Sequence, residues 1–187
     1  GLGDVYKRQT FIDTLYIFNL LSNSKMSNIK IDKDYIYIDS STSLDFNAIA
    51  QGYTCDLVAG YFNQEDIKNY MIEVGGEVRT SGSNYTKKKK WRIGIENPDE
   101  TFTSNFNTVI ELSDMSLATS GNYRNYYLDN NNLMSHIIDP STGFPSKTNV
   151  ISSTVLHKKC SIADAIATSF MCMDIEEIKD FLKTSPH

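Results

Sequence analysis

The chain has 187 residues, of which 40% are hydrophobic, and its formal net charge is −5. This length and apolar content are sufficient for one domain with a hydrophobic core. The acidic balance excludes a protein whose main task is to coat nucleic acid, and we expect no nucleic-acid partner. The three cysteines are too far apart in the sequence to form a metal clip, and no apolar run approaches the ~20 residues of a membrane span.

The first nine residues differ from the rest of the chain. Residues 1–9 lack a methionine and fit none of the periodicity that follows. We expect a non-native or disordered start there. One domain is expected over 10–187, incomplete at both ends.

Helical periodicity occurs in four places. The clearest helix is predicted from about 47 to 62, because large apolar residues recur there every four positions and indicate a buried face. That stripe consists of Ile49, Tyr53, Leu57 and Tyr61, and it is widened by Ala50, Val58 and Phe62. The other helices are predicted over 10–22, 161–173 and 175–183.

Alternating or β-rich segments predict the strands. A polar turn at 129–132 lies between two of them and indicates a hairpin. Strands and helices do not alternate strictly, which favours an α+β fold with mixed or antiparallel sheets and two or three packed helices. The predicted strands are 34–40, 70–74, 91–95, 109–112, 116–119, 123–128, 134–138 and 149–156.

The first polar segment of interest, residues 44–53, lies at a strand-to-helix junction. The free backbone N–H groups and the positive dipole end of a helix start favour phosphate. Asp45 or Asn47 could equally be a simple helix cap. The second segment places Gly75 and Gly76 directly after a strand, where glycines let a flat ligand approach the backbone or form a plain turn.

A third group of polar residues surrounds His136. This histidine lies next to Ser135 and three residues before Asp139, downstream of the segment 118–123. Histidine titrates near neutral pH, so His136 is a candidate general base or phosphate partner. The alternative is a histidine at a strand end that Asp139 holds in place.

The fourth segment, 161–168, places a carboxylate and a hydroxyl on one helix face. Asp164 and Thr168 are four residues apart, and both offer hard oxygen ligands of the kind that Mg²⁺ prefers. The alternative is structural, because Ser161 and Asp164 have the spacing of a capping pair.

These segments in this order resemble the FAD:protein FMN transferase family (the ApbE type). The resemblance covers about 44–173. It rests on Asp-x-x-Ala-x-Ala-x-Gly-Tyr from Asp45, Gly75-Gly76, Ala-Thr-Ser-Gly from Ala118, Ser-His-x-Ile-Asp-Pro-x-Thr-Gly from Ser135, and Ala-Asp-Ala-x-Ala-Thr from Ala163. The single pieces are weak signals, whereas the ordered set is specific.

The resemblance implies an ApbE-like α+β fold and an enzyme that attaches the FMN half of its substrate FAD to a Thr or Ser hydroxyl, with bound Mg²⁺ and release of AMP. The implied acceptor is a flavoprotein subunit of a respiratory or extracytosolic electron-transfer complex. The implied location is the periplasmic face of the cell envelope, in many members through a lipoprotein anchor.

The resemblance also assigns roles to residues of this chain. His136 matches the catalytic histidine. The metal would be held by the Ala48 carbonyl, Asp164 and Thr168, with Ala167 adjacent. The implied flavin-binding residues are Asp45, Gln51, Gly75, Gly76, Thr119, Ser120 and Gly121.

Three positions depart from the family pattern. Gln51 stands where the family usually has Lys, Asn47 where Gly or Ser is common, and Glu77 where Asn or Asp is common. These departures bear on flavin affinity more than on reaction type. Two alternative functions remain open: an FAD pyrophosphatase that uses water in place of the acceptor hydroxyl, and a flavin-binding module without turnover.

Overall fold

The computed structural model describes residues 13–97, 106–122, 126–129, 132–135 and 137–185. The expected non-native start at 1–9 lies outside these residues. The chain divides into two compact units, one formed by 1–45 with 125–147 and the other by 46–124 with 148–187. The single domain expected over 10–187 stays a prediction.

The α+β class is confirmed, since helices and antiparallel strand pairs share the chain. None of the helices in the described residues has the length and apolar character to span a membrane. In chain order, the elements are α1 (Thr14–Asn23), a 3₁₀ turn (Met26–Asn28), β1 (Lys30–Asp32), β2 (Tyr35–Tyr37), α2 (Ala50–Gln64), β3 (Tyr70–Val74), β4 (Glu77–Ser81), β5 (Trp91–Glu96), β6 (Phe106–Leu112), β7 (Ser116–Gly121), β8 (Tyr126–Asp129), β9 (Asn132–Ser135), β10 (Ser152–His157), α3 (Cys160–Phe170) and α4 (Ile175–Thr184).

The first unit contains helix α1 and two short hairpins. Asp13 caps α1 by accepting a hydrogen bond from the Tyr16 amide at 3.0 Å. Strand β2 is shorter than the predicted strand at 34–40, and it pairs with β1, which the sequence pattern did not indicate. The hairpin predicted around 129–132 is confirmed, because β8 pairs with β9 in antiparallel register from Tyr126 to Ser135.

The second unit is a four-stranded antiparallel sheet with two helices packed against it. The strand order is β10-β7-β4-β3. Helix α2 packs on β3 and β4, and α3 packs on β7 and β10. Strand β4 was not predicted, because its buried positions alternate polar and apolar residues such as Glu77, Val78 and Thr80. A separate hairpin joins β5 to β6, and the predicted strands at 91–95 and 109–112 lie within it.

The predicted apolar face of α2 is confirmed only in part: Val58 and Phe62 pack against the core, whereas three of its large residues do not. Tyr53, Leu57 and Tyr61 are 54%, 56% and 59% exposed. The residues that α2 buries are instead the small ones, Gly52, Cys55 and Ala59. Small side chains occupy this face because they let the helix axis approach both the sheet and the neighbouring helix. Apolar periodicity alone does not predict how close a neighbouring element lies.

The core between α2, α3 and the sheet is built largely from small or slender side chains. Cys55 and Ala59 of α2 meet Cys160 of α3 and Tyr70 and Ile72 of β3. A second cluster joins Ala118 of β7 to Ala163 and Ala167 of α3. These contacts fix the N-terminal ends of the two helices close together above β4.

Candidate active site

The centre of the candidate site is the crossing of α2 and α3 at Gly52. A Cβ atom at this position would lie 2.5 Å from the Cys160 carbonyl oxygen and 2.8 Å from Asp164 Cβ. Real Cβ atoms do not approach backbone so closely, so only glycine permits this crossing. The absence of a side chain at Gly52 therefore places the first turn of α2 directly against Asp164.

Each of these helices is capped by a carboxylate from the other. The Gly52 amide donates to Asp164 Oδ2 at 2.9 Å. In return, Asp56 accepts from the amides of Cys160 at 2.9 Å and Ser161 at 3.0 Å, and from Ser161 Oγ at 2.8 Å. The carboxylates meet amide donors left unpaired at helix N-termini, where the helix dipole favours negative charge.

This exchange decides between the two interpretations of Asp164. As a simple capping residue it would serve its own helix together with Ser161. The N-cap residue of α3 is instead Lys159, without a side-chain cap, and Asp56 supplies the oxygens at that helix end. Asp164 is only 4% exposed and reaches across to α2. The capping-pair alternative is therefore wrong.

Burial changes the acidity of Asp164. Removing the carboxylate from water raises its pKa above the usual value, and the hydrogen bond from the Gly52 amide partly opposes this. A buried carboxylate with one amide donor still has free lone pairs. Those oxygens are suited to a hard cation.

Glu77, at the start of β4, is a second buried carboxylate at this site. It is 5% exposed, and its Oε2 atom has no hydrogen-bond partner among the described residues. Burial, followed by the nearby charge of Asp164, raises the pKa of Glu77 to about 7. The sequence had marked Glu77 only as a departure from the family pattern.

Thr168 and Ser120 meet one turn further along α3. Their hydroxyl oxygens are 3.0 Å apart and half-buried. Ser120 and Ala118 share the helix-facing side of β7, where Ala118 packs against Ala163 and Ala167. Thr119 projects from the opposite face of the sheet, and its hydroxyl bonds to Thr154 Oγ1 at 2.9 Å.

The predicted flavin-contacting glycines form a hairpin turn beside Gln51. Gly75 and Gly76 connect β3 to β4, and both have positive φ angles, +66° and +110°. A Cβ atom at Gly75 would collide with the Gln51 side-chain amide. The structure thus brings Gln51 and this turn together and confirms the turn, while the role of these residues in flavin binding stays a prediction.

The roles of the remaining predicted site residues stay predictions. Ala48 lies in the exposed turn just before α2. Asp45 belongs to the first compact unit, whereas the cluster belongs to the second. His136 lies outside the described residues, so its assigned role stays a prediction. The roles of Gly121 and Ala167 also stay predictions, although both residues are in the unit that contains the cluster.

The donor chemistry of the cluster fits a divalent cation. Within the described residues, no three His, Cys, Asp or Glu side chains form a metal cluster, so the carboxylates alone cannot complete a coordination sphere. Hydroxyl, main-chain carbonyl and phosphate oxygens would supply the remainder, as is usual for Mg²⁺. Two buried carboxylates, one with an unpaired oxygen, are the observation that favours a cation here.

Comparison with known proteins identifies the family of this chain. The sequence profile described as the ApbE family matches residues 6–187. The chain belongs to the ApbE family. Among its relatives, the FAD:protein FMN transferase of Vibrio cholerae is 45% identical over 141 residues, which are 75% of this chain and 40% of that protein. The Escherichia coli K12 protein of the same name is 31% identical over 180 residues, 96% of this chain and 48% of that protein.

Solved ApbE structures share the fold. The apo flavinyl transferase ApbE of Pseudomonas stutzeri superposes with a TM-score of 0.79 at 30% identity, over 90% of this chain and 51% of that one. The flavin transferase ApbE of Vibrio cholerae gives 0.77 at 36% identity, over 90% and 53%. This chain therefore spans about half the length of the ApbE proteins that it matches.

The buried Glu77 predicts an unusual pH dependence of stability. Its folded pKa of about 7 exceeds its ordinary value of 4.5, so the folded state binds the extra proton between these values. The contribution of Glu77 to stability is therefore greatest below about pH 4.5 and is lost as the pH rises through about 7, by roughly 3 kcal/mol in total. In the metal-free protein, Glu77→Gln removes this decline.

Urea unfolding at about pH 5 and pH 8 with a chelator present measures the effect. The control is Glu176→Gln, on α4, because Glu176 is exposed and is not among the charges that raise the pKa of Glu77, so its removal is expected to leave the Glu77-dependent slope unchanged. Wild type and Glu77→Gln with the same change in unfolding free energy between the two pH values would contradict the assignment.

Two elements of the site escaped sequence reasoning. Asp56 was missed because a carboxylate in mid-helix carries no signal of an interaction 104 residues away. Gly52 was recognised as part of a motif but not as the contact point of two helices. The available signal was the spacing of small residues at 52, 55 and 59, which marks a helix face that approaches a neighbour closely.

Proposed function

We propose that this chain is part of an enzyme that transfers FMN from FAD to a Thr or Ser hydroxyl of an acceptor flavoprotein, with Mg²⁺ and with release of AMP. The observation that carries the proposal is the buried pair Asp164 and Glu77 beside the Thr168–Ser120 hydroxyls, in a chain of the ApbE family. The relatives' name, FAD:protein FMN transferase, gives the reaction class.

In the proposed reaction the acceptor hydroxyl oxygen attacks the FMN phosphorus of FAD. A new phosphoester bond forms, the bond from that phosphorus to the bridging oxygen breaks, and AMP leaves with the bridging oxygen. Asp164, Thr168 and the Ala48 carbonyl, with Ala167 adjacent, would hold Mg²⁺. The ion supplies charge neutralisation and alignment of the pyrophosphate.

The residues of the chain account for the other requirements. Gln51 and the glycine turn at 75–76 lie together and offer an amide and open backbone to the flavin nucleotide. Ser120 positions the Thr168 hydroxyl through their 3.0 Å hydrogen bond. His136 would take the proton from the acceptor hydroxyl, which is a poor nucleophile near neutral pH.

Intact mass of the acceptor tests the proposal. The full-length protein is mixed with FAD, Mg²⁺ and a flavoprotein subunit that carries an acceptor Thr, with and without chelator. We expect a chelator-sensitive gain equal to FMN minus water. Release of free FMN and AMP without a gain would indicate a pyrophosphatase instead, and FAD that binds but stays whole would indicate a flavin carrier.

Replacing His136 by alanine is expected to slow transfer by about 10²–10⁴-fold, the usual contribution of a general base. FAD binding is expected to be unchanged, because the proposed role concerns the acceptor proton. Single-turnover transfer and equilibrium FAD binding separate the two effects. Weaker FAD binding with no separate rate defect would make His136 a ligand contact.

The proposal includes a location and a partner. We propose that the protein acts at the periplasmic face of the cell envelope, on a subunit of a respiratory or extracytosolic electron-transfer complex. The support is the resemblance to a family whose members usually act outside the cytoplasm. Fractionation of cells that carry the full-length protein tests this, and recovery only in the cytosol would refute it.

A further inference from the structure

Glu77 occupies a position where a carboxylate has no structural reason to be. In the β3–β4 register it lies opposite Val74, which packs against the core beneath α2 and α3. Residues opposite each other in a register project to the same side of a sheet. The Glu77 side chain is therefore on the helix-covered face and is 95% removed from solvent, since only 5% is exposed.

The groups around Glu77 do not neutralise it. Its Oε2 atom is unpartnered within the described residues, and no ion pair to Glu77 occurs there. Arg79, two residues along the same strand, donates to Ser116 Oγ at 3.2 Å, and its buried Nε atom has no partner among the described residues. The charges that act on Glu77 are those of Asp164 and, more weakly, Glu73, and both are negative.

Two buried carboxylates without a cation are destabilising. An ionised group that is buried without a partner costs several kcal/mol, and a neighbouring like charge adds to that cost. A glutamine at 77 would fill nearly the same space without the charge. When it is ionised, the carboxylate at this position therefore has no ion-pair partner among the described residues.

We propose that Glu77 is a second anionic residue of the cation site, facing the divalent ion opposite Asp164, either directly or through a bound water. Two carboxylates match the two charges of the ion, so the site binds the cation before the pyrophosphate of a nucleotide arrives. The inference rests on the proposed function only in assigning a divalent cation to this site.

Binding of Mn²⁺ to the nucleotide-free full-length protein tests the inference, with free Mn²⁺ followed by electron paramagnetic resonance. We expect Glu77→Gln to weaken Mn²⁺ binding by about tenfold or more, the range found for residues that support metal ligands. The control is Glu176→Gln on α4, which removes an exposed carboxylate that does not act on Glu77 and is expected to leave binding unchanged.

Misfolding does not explain the expected loss, because Glu77→Gln is predicted to make the metal-free protein more stable at neutral pH. Urea unfolding with chelator verifies this for each variant. Mn²⁺ affinity of Glu77→Gln equal to that of wild type would overturn the inference, as would wild type that binds no Mn²⁺.

The outcome is separate from that of the transferase proposal. Glu77-dependent Mn²⁺ binding without FMN transfer would refute the transferase and leave this inference standing. If wild type transfers FMN, and Glu77→Gln binds Mn²⁺ with the same affinity as wild type, this inference alone is refuted.

Discussion

Replacing Asp164 by asparagine is expected to reduce Mg²⁺-dependent FMN transfer by about 10³-fold or more. The cation contributes several kcal/mol of charge stabilisation, and each 1.36 kcal/mol corresponds to a factor of ten in rate. Asparagine keeps an oxygen that can accept the hydrogen bond from the Gly52 amide, now 2.9 Å long, but removes the charge. The activity loss is therefore expected with the fold retained.

Alanine at the same position separates the two roles of Asp164. Asp164→Ala leaves the Gly52 amide without its acceptor, and an unsatisfied buried donor costs about 1–3 kcal/mol. Both variants are expected to lose transfer, while only the alanine variant loses the α2 cap. Acceptor mass and urea unfolding are the measurements. The control is Asp180→Asn on α4, an exposed residue paired with Lys183. Full transfer by Asp164→Asn would refute the metal assignment.

The second large effect is expected from Gly52→Ala. The new methyl group would overlap the Cys160 backbone at 2.5 Å, which no side-chain rotation relieves. Overpacking of this kind costs about 1–3 kcal/mol, and the helices must separate to relieve it. Separation moves Asp164 away from the start of α2. We therefore expect lower stability together with weaker Mn²⁺ binding.

Gly60 provides the matched control within the same helix. A Cβ atom there meets nothing within 4 Å, so Gly60→Ala has no clash to relieve. Alanine is favoured over glycine in a helix by about 1 kcal/mol, so this variant is expected to be stabilised. Urea midpoints compare the two variants. Equal stability of Gly52→Ala and Gly60→Ala would show that the helix crossing tolerates a side chain.

The site illustrates how function and stability oppose each other at single residues. Asp164 and Glu77 are buried near each other, and burial raises the pKa of both. At neutral pH, the two buried negative charges lower the free energy of unfolding of the metal-free protein. The proposed cation would reverse the sign of this contribution, because a ligand that binds only the folded state stabilises it.

The local sequence pattern was sufficient to predict those features that depend only on residues close together in the chain. The helix predicted over 161–173 corresponds to Cys160–Phe170, and the strands predicted at 70–74 and 91–95 match β3 and most of β5. These elements have strong apolar periodicity and clear turn residues at their ends. The ordered motifs also predicted the ApbE family, since motif spacing is a property of the chain itself.

The apolar pattern of the sequence did not predict burial correctly where burial depends on the distance between secondary-structure elements. Of the predicted apolar face of α2, Tyr53, Leu57 and Tyr61 are exposed, because periodicity does not indicate how closely a neighbouring element approaches. Val58 and Phe62 of the same face do pack against the core. Strand β4 was missed for a related reason. Its buried Glu77 and Thr80 look like surface residues until the helices above the sheet are in place.

The sequence by itself determined the α+β class, most of the elements, the family, and the candidate residues Asp164 and Thr168 on one helix face. Only the tertiary structure decided that Asp164 caps α2 rather than α3, that Asp56 returns the interaction, and that Glu77 is buried near Asp164. These contacts join residues as much as 112 positions apart. They form because Gly52 lets two helices cross at backbone distance, and that proximity is a property of packing rather than of local sequence.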